Sequence, residues 1–126
     1  MPRMKKVVLD VGSCSIDHSA IEQMILGHFE VEVLRATGPD EALRILRGKP
    51  VHLVLVNRRL HGNHTDGMEF IRQLKSDPEL AQTPVMLISD HPRYQNTAVA
   101  AGAEPGFGKS ELSSPEMPKR LQPYLS

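Results

Sequence analysis

The stretch VHLVLVNRRL, residues 51–60, decides how this chain is expected to fold. Its near-continuous apolar run over 51–56 predicts a strand covered on both faces, as the inner strands of a parallel sheet are. The run stops at the amide Asn57, which two arginines follow. In α/β proteins, sites lie beyond the carboxyl ends of such strands. Asn57 therefore stands at a predicted site, although an amide is neither a good nucleophile nor a strong metal ligand.

The composition narrows the class of protein. The 126 residues suffice for one domain with its own core. Lys and Arg total 15, Asp and Glu total 15, and the signs alternate along the chain, so we expect neither nucleic acid nor a membrane surface as a partner. The single cysteine, Cys14, excludes an internal disulfide, and the apolar run near the start is too short for a signal peptide. We expect a cytoplasmic protein.

Short β-rich segments alternate with helical patterns along the whole chain. The predicted strands cover residues 6–11, 30–36, 51–56, 85–89 and a weak segment within 102–108. The predicted helices cover residues 15–28, 38–47, 66–75, 93–101 and 114–124, the last one interrupted by prolines. Such alternation predicts a three-layer α/β/α domain over residues 1–126, with a five-stranded parallel sheet in the order 2-1-3-4-5. Its site would lie where the first and third strands end, beside Asp10 and Asn57.

Four ordered segments resemble the receiver domain of bacterial two-component response regulators. They are VVLDVGS, LVLVNRRLHGNHTDGMEFIRQLK, TPVMLIS and AGAEPGFGKS. The resemblance runs over nearly the whole chain and implies a flavodoxin-like fold and a role in phosphorelay signal transduction. It implies a single receiver-like domain without an output domain, with no enzymatic activity of its own. The resemblance also implies a protein partner, such as a histidine kinase or another signalling protein.

The resemblance also implies roles for individual residues. In receivers, two acids at the end of the first strand hold Mg²⁺, and an aspartate ending the third strand accepts the phosphoryl group. Asp10 matches the first acid, Val11 falls at the second, and Asn57 stands at the phosphoacceptor position. Ser89 and Lys109 match the hydroxyl and the lysine that hold the phosphoryl oxygens.

The output side departs from the receiver pattern as well. Counting back from Lys109, the position of the aromatic side chain that rotates in switching receivers is Gly106. Phe107 is one residue on, so its side chain is expected to face the opposite side of the sheet. The sequence therefore predicts that the switch aromatic is lost.

These departures predict a pocket without its usual chemistry. An amide oxygen carries no formal charge and forms no stable analogue of an acyl phosphate. Mg²⁺ requires hard, preferably anionic oxygens, whereas Asp10 and Lys109 sum to zero and are expected to pair, with Asn57 hydrogen-bonding between them. We therefore expect no cofactor and no metal at this site. The prediction is a phosphorylation-independent protein–protein interaction module.

Three alternatives stay open at this stage. The domain could be a phosphorylatable receiver that uses another acid, such as Asp66 or Asp90. It could instead be a flavodoxin-like small-ligand-binding protein or enzyme that uses the same sheet edge. The loop of residues 61–66, which contains His61, His64 and Asp66, offers two imidazoles and a carboxylate for Zn²⁺, although a solvated loop is the commoner meaning of such a segment.

Overall fold

Five strands form one parallel sheet in the computed structural model, which describes residues 5–60 and 66–126. The strands are β1 (Lys6–Val11), β2 (Val31–Ala36), β3 (Leu53–Asn57), β4 (Val85–Ile88) and β5 (Glu104–Phe107). Their order is β2-β1-β3-β4-β5, and every neighbouring pair is parallel. The predicted doubly wound fold, with its strand order, is confirmed.

Helices connect the strands and cover both faces of the sheet. They are α1 (Ser15–Leu26), α2 (Pro39–Gly48), α3 (Gly67–Ser76), α4 (Pro92–Ala100) and α5 (Met117–Leu125), and a short 3₁₀ helix covers Lys109–Glu111. The last helix begins three residues later than the helical pattern predicts. No described helix is long and apolar enough to cross a membrane.

The apolar runs form two buried layers, one on each side of the sheet. Leu9, Val54 and Val56 pack toward α2, α3 and α4, in a cluster that includes Phe70 and Leu87. The alternate strand residues pack toward α1 and α5, in a second cluster that includes Val8, Leu55, Ile88, Phe107 and Leu121. Because β3 and β4 are covered on both faces, their sequences are nearly continuous apolar runs, whereas the edge strand β2 mixes buried, half-buried and exposed residues.

Two glycines allow the chain to turn closely at the carboxyl edge. Gly12, directly after β1, has a φ of +84°, and a Cβ there would collide with Leu60. Gly67 begins α3 against the carbonyl of Asn57, and its N–H donates to the Arg58 carbonyl at 2.7 Å. These contacts hold the segment after β3 beside the end of β1, where the polar side chains meet.

Candidate functional site

A shallow depression of about 310 Å³ lies at the carboxyl ends of β3, β4 and β5. Its lining consists of Asn57, Arg58, Arg59, Ile88, Ser89, Asp90 and Lys109. A larger depression, of about 750 Å³, lies at the opposite edge of the sheet and is lined by Lys5, Phe29 and Pro118 among others. Parallel sheets bind their ligands at the carboxyl edge, so the smaller depression is the candidate site.

Asp10 is fully buried at the end of β1, and neighbouring side chains occupy both of its carboxylate oxygens. The Ser13 hydroxyl donates to Oδ1 at 2.7 Å, and His18 Nδ1 lies 2.8 Å from Oδ2. Burial raises the pKa of Asp10, while the hydrogen bonds from His18 and Ser13 and the charges of His18 and Arg35 oppose that rise. Asp10 is thus enclosed by α1 and the loop before it.

Lys109 is not paired with Asp10, so the predicted pair is wrong. The Lys109 ammonium lies 2.6 Å from Oδ2 of Asp17, in the first turn of α1. This ion pair lowers the pKa of the Asp17 carboxyl, chiefly through the hydrogen bond from Lys109. Both side chains are partly exposed, whereas Asp10 is buried behind His18; an exposed partner costs the lysine less desolvation than a buried one.

Asn57 does not bridge Asp10 and Lys109 either. Its amide Nδ2 donates to the backbone carbonyl of Arg59 at 2.7 Å, two residues along the same loop. Ser89, at the end of β4, accepts a hydrogen bond from the His91 N–H at 3.1 Å through its Oγ. Both residues line the depression together with Lys109, as their strand-end positions predict, but Asp10 does not line it. Val11 is fully buried in the apolar layer beneath α2 and α3.

The depression is positively charged, a property that the sequence reasoning missed. Three cationic side chains, Arg58, Arg59 and Lys109, line it with one anionic side chain, Asp90. Arg58 stacks its guanidinium over the Tyr94 ring, with Cζ 4.1 Å from the ring centroid. The two arginines directly after Asn57 could have predicted this positive charge, because residues that follow a buried strand emerge at the edge of the sheet where the site lies. The predicted neutral pocket is therefore wrong.

The two other acids proposed as phosphoacceptors have structural partners. Asp66 caps α3, and its Oδ1 accepts the Met68 N–H at 2.9 Å. Asp90 accepts hydrogen bonds from both the hydroxyl and the N–H of Ser110, which joins the loop after β4 to the loop after β5. The suggested zinc ligands His61 and His64 lie outside the described residues.

Gln95 joins α4 to both strands beneath it. Its Nε2 lies 2.9 Å from the Leu87 carbonyl and 3.0 Å from the Ser89 carbonyl, and its Oε1 accepts the Gly106 N–H at 3.0 Å. The pairing of β4 with β5 is irregular here, and Gln95 satisfies backbone groups that a regular ladder would pair. No sequence pattern pointed to this residue.

Gly106 is required at this place by the close approach of its neighbours. A Cβ at Gly106 would collide with the Leu87 carbonyl and crowd the side-chain oxygen of Gln95. Phe107 packs in the layer of α1 and α5, on the other side of the sheet from Gln95, as the period-two count predicts. An aromatic residue at position 106 would not fit this arrangement.

The residues present do not match the ligand set that Mg²⁺ needs. Mg²⁺ takes near-octahedral oxygen ligands and is held through carboxylates. Here Asp10 is occupied by His18 and Ser13, Val11 is apolar, and Asn57 offers an uncharged amide. Within residues 5–60 and 66–126, no three His, Cys, Asp or Glu side chains form a group suited to a metal ion.

Solved structures of receiver domains have the same architecture as this chain. The signal receiver domain of a DNA-binding response regulator from Colwellia psychrerythraea 34H aligns with a TM-score of 0.79 at 22% identity, covering 94% of this chain and 97% of that one. A response regulator from Thermotoga maritima aligns with a TM-score of 0.77 at 22% identity, covering 96% and 98%. The chain has the receiver fold.

Another solved structure with this likeness is that of a chemotaxis protein. The receiver-like chain aligns with CheY4 of Vibrio cholerae at a TM-score of 0.70 and 22% identity, covering 98% of this chain and all of that one. No protein-family model and no curated protein sequence matches the chain. The receiver likeness therefore rests on three-dimensional structure, and it establishes the fold.

Proposed function

We propose that this receiver-like domain works in two-component signal transduction as a phosphorylation-independent protein–protein interaction module. The observation that carries the proposal is the state of the two pocket positions on β1 and β3. Asn57 replaces the carboxylate that would accept a phosphoryl group, and Asp10 is buried with both oxygens engaged. A module of this kind would catalyse no reaction and hold no Mg²⁺.

Several contacts support a domain that keeps one conformation. Lys109 is held by Asp17, and Asp90 is held by Ser110. Gln95 fixes α4 to β4 and β5, the region that rearranges in receivers that switch. A partner protein would then recognise a constant surface, and the amount or location of the domain would set the signal.

Intact-mass analysis after treatment with a small-molecule phosphodonor and Mg²⁺ tests this proposal. We expect no stable gain of a phosphoryl group, while a receiver domain with all its pocket carboxylates, treated in parallel, gains one. Phosphoryl uptake that maps to the end of β3 would contradict the proposal. Uptake mapped to Asp66 or Asp90 would instead favour a phosphorylatable receiver that uses another acid.

A further inference from the structure

We infer that the larger depression, at the amino edge of the sheet, is a docking groove for an acidic segment of a partner protein that carries an apolar anchor side chain. Its volume of about 750 Å³ is more than twice the 310 Å³ of the depression at the carboxyl edge. The inference deepens the proposed function and rests on it in one respect, that the domain acts by binding another protein. The lining of this amino-edge groove includes Lys5, Lys6, Phe29, Pro118, Lys119 and Leu125.

The floor of the amino-edge groove is apolar. Phe29 and Leu125 both pack in the apolar layer of α1 and α5, and both also line the groove. Of the three phenylalanines in the chain, Phe70 and Phe107 are buried, whereas Phe29 stays partly exposed where it lines the groove. A partly exposed aromatic ring in a concave surface gains stability when an apolar side chain covers it.

The rim of the groove is positively charged. Three lysines, Lys5, Lys6 and Lys119, line it with one acid, Glu30. The Lys6 ammonium already donates to a main-chain oxygen of Ser126 at 2.7 Å. Lys5 makes no salt bridge within the described residues, and Lys119 has only an exposed contact of 3.7 Å with the acid three residues before it. Lys5 and Lys119 therefore carry the charge that a partner would meet, and that charge favours carboxylates.

Hydrogen bonds fix the walls of the groove before a partner binds. The Phe29 N–H donates to the Ile25 carbonyl at 2.9 Å, which ties the loop after α1 to the last turn of that helix. The contact of Lys6 with Ser126 joins the start of β1 to the end of α5. A preformed groove loses little conformational entropy on binding, so a short acidic segment is enough to bind measurably.

A protein partner fits this groove better than an anionic membrane does. Surfaces that bind membranes insert apolar side chains that protrude beyond their basic residues. Here the order is reversed, because Leu125 is buried while Lys5 and Lys119 are exposed. An apolar centre within a polar rim is the arrangement of protein–protein interfaces.

Titration of the ¹⁵N-labelled protein with a short peptide, followed by NMR, tests the inference. The peptide has glutamates on both sides of one leucine, and sodium chloride keeps the ionic strength constant, because screening alone shifts the signals of exposed charges. We expect saturable shifts of the amide signals of Lys6, Phe29 and Lys119. The amide signals of Arg58 and Lys109, at the carboxyl edge, should stay in place.

Matched lysine variants connect the binding to the rim. Lys119→Gln should weaken binding of the peptide about threefold, the loss expected for one exposed ion pair. Lys49→Gln makes the same change of charge outside the groove, where Lys49 also forms an exposed ion pair, with Glu32. This control variant should bind the peptide as tightly as the wild type.

Changes in the peptide test the floor, because Phe29 also packs against the core and replacing it would disturb the fold. Serine in place of the leucine should weaken binding about tenfold, since an apolar side chain no longer covers the floor. Glutamine in place of all the glutamates should weaken binding about tenfold as well, as expected for losing the contacts with Lys5 and Lys119.

The inference is overturned if no signal shifts saturably, if the shifts map to the carboxyl edge, or if Lys119→Gln and Lys49→Gln bind the peptide equally. Equal binding of the leucine and serine peptides would also overturn it. Sedimentation with vesicles of phosphatidylserine and phosphatidylcholine that is lost in Lys119→Gln, without binding of the peptide, would indicate a membrane surface instead.

The same measurements separate this inference from the proposed function. If the peptide does not bind while the mass stays unchanged under the phosphodonor, the groove fails and the absence of phosphorylation stands. If the peptide binds at the groove while a phosphoryl group is gained at the end of β3, the groove stands and the phosphorylation-independent module fails.

Discussion

Replacing Gln95 by alanine should lower the free energy of unfolding by about 2–4 kcal/mol. The side chain makes three hydrogen bonds of 2.9–3.0 Å to backbone groups: it donates to the carbonyls of Leu87 in β4 and of Ser89 directly after it, and it accepts from the Gly106 N–H. Each bond contributes about 1 kcal/mol net, and a buried backbone group left without a partner costs about 1–3 kcal/mol. The irregular pairing of β4 with β5 offers these groups no substitute partner within the ladder.

The matched control is Gln73→Ala. Gln73 is exposed on α3, and its side chain makes no hydrogen bond within the described part of the chain. Both substitutions replace glutamine with alanine inside a helix, so the small gain in helix propensity is the same in both variants. The difference between the two variants therefore isolates the contacts of Gln95 with β4 and β5.

Urea denaturation followed by far-ultraviolet circular dichroism is the assay, because the chain has no tryptophan. With a slope of about 2 kcal/mol per molar urea, the middle of the usual range, a loss of about 2–4 kcal/mol moves the midpoint by about 1–2 M. The slope itself should stay unchanged, since the native surface is preserved. If Gln95→Ala loses no more stability than Gln73→Ala, Gln95 does not fix α4 to β4 and β5, and the proposed single conformation is contradicted.

Three further outcomes follow from the same structure. Burial raises the pKa of Asp10 above the ordinary 3.8, so the folded chain keeps that proton to higher pH than the unfolded chain, and ionisation of Asp10 reduces stability. The measurement is the free energy of unfolding of the wild type minus that of the Asp10→Asn variant. This difference should fall as the pH rises from about 4 to about 7. If the difference rises instead, the pKa of Asp10 is lowered in the folded chain. Calorimetric titration of the Asn57→Asp variant with Mg²⁺ should show no saturable binding, because both oxygens of Asp10 are engaged. Adding Val11→Asp should not complete a metal site; it should lower the free energy of unfolding in urea by several kcal/mol, since Val11 is fully buried. Gly106→Ala should lower the thermal midpoint by several degrees, because its Cβ would meet the Leu87 carbonyl; an unchanged midpoint would show that β5 shifts freely.

The sequence by itself determined the architecture. Three sequence patterns together predict one doubly wound sheet: apolar runs at β3 and β4, alternation at β2, and helical periodicity between the strands. Each pattern indicates how many faces of its element are buried. The same reasoning placed Asn57 at the carboxyl edge, where the ends of parallel strands coincide, and the receiver resemblance added Ser89 and Lys109, which line the same depression.

The tertiary structure alone decided which polar groups meet within that edge. Asp10 and Lys109 are each at the expected strand end, yet Asp10 contacts His18 and Lys109 contacts Asp17. Both partners lie on α1, and the sequence does not state how that helix is rotated over the sheet. Hydrogen bonds and ion pairs depend on side-chain positions to within a few tenths of an ångström, whereas strand order depends only on patterns of burial.

Gln95 shows the same limit most clearly. A glutamine on a short helix carries no pattern of its own, and its role arises because β5 pairs irregularly with β4 directly beneath it. The positive charge of the depression likewise comes from Arg58 and Arg59, which are visible in the sequence but whose side-chain orientation the sequence does not predict. The fold was predictable because burial repeats along the chain, while the site required the structure because contacts such as Lys109 with Asp17 and Asp90 with Ser110 join residues that are far apart in sequence.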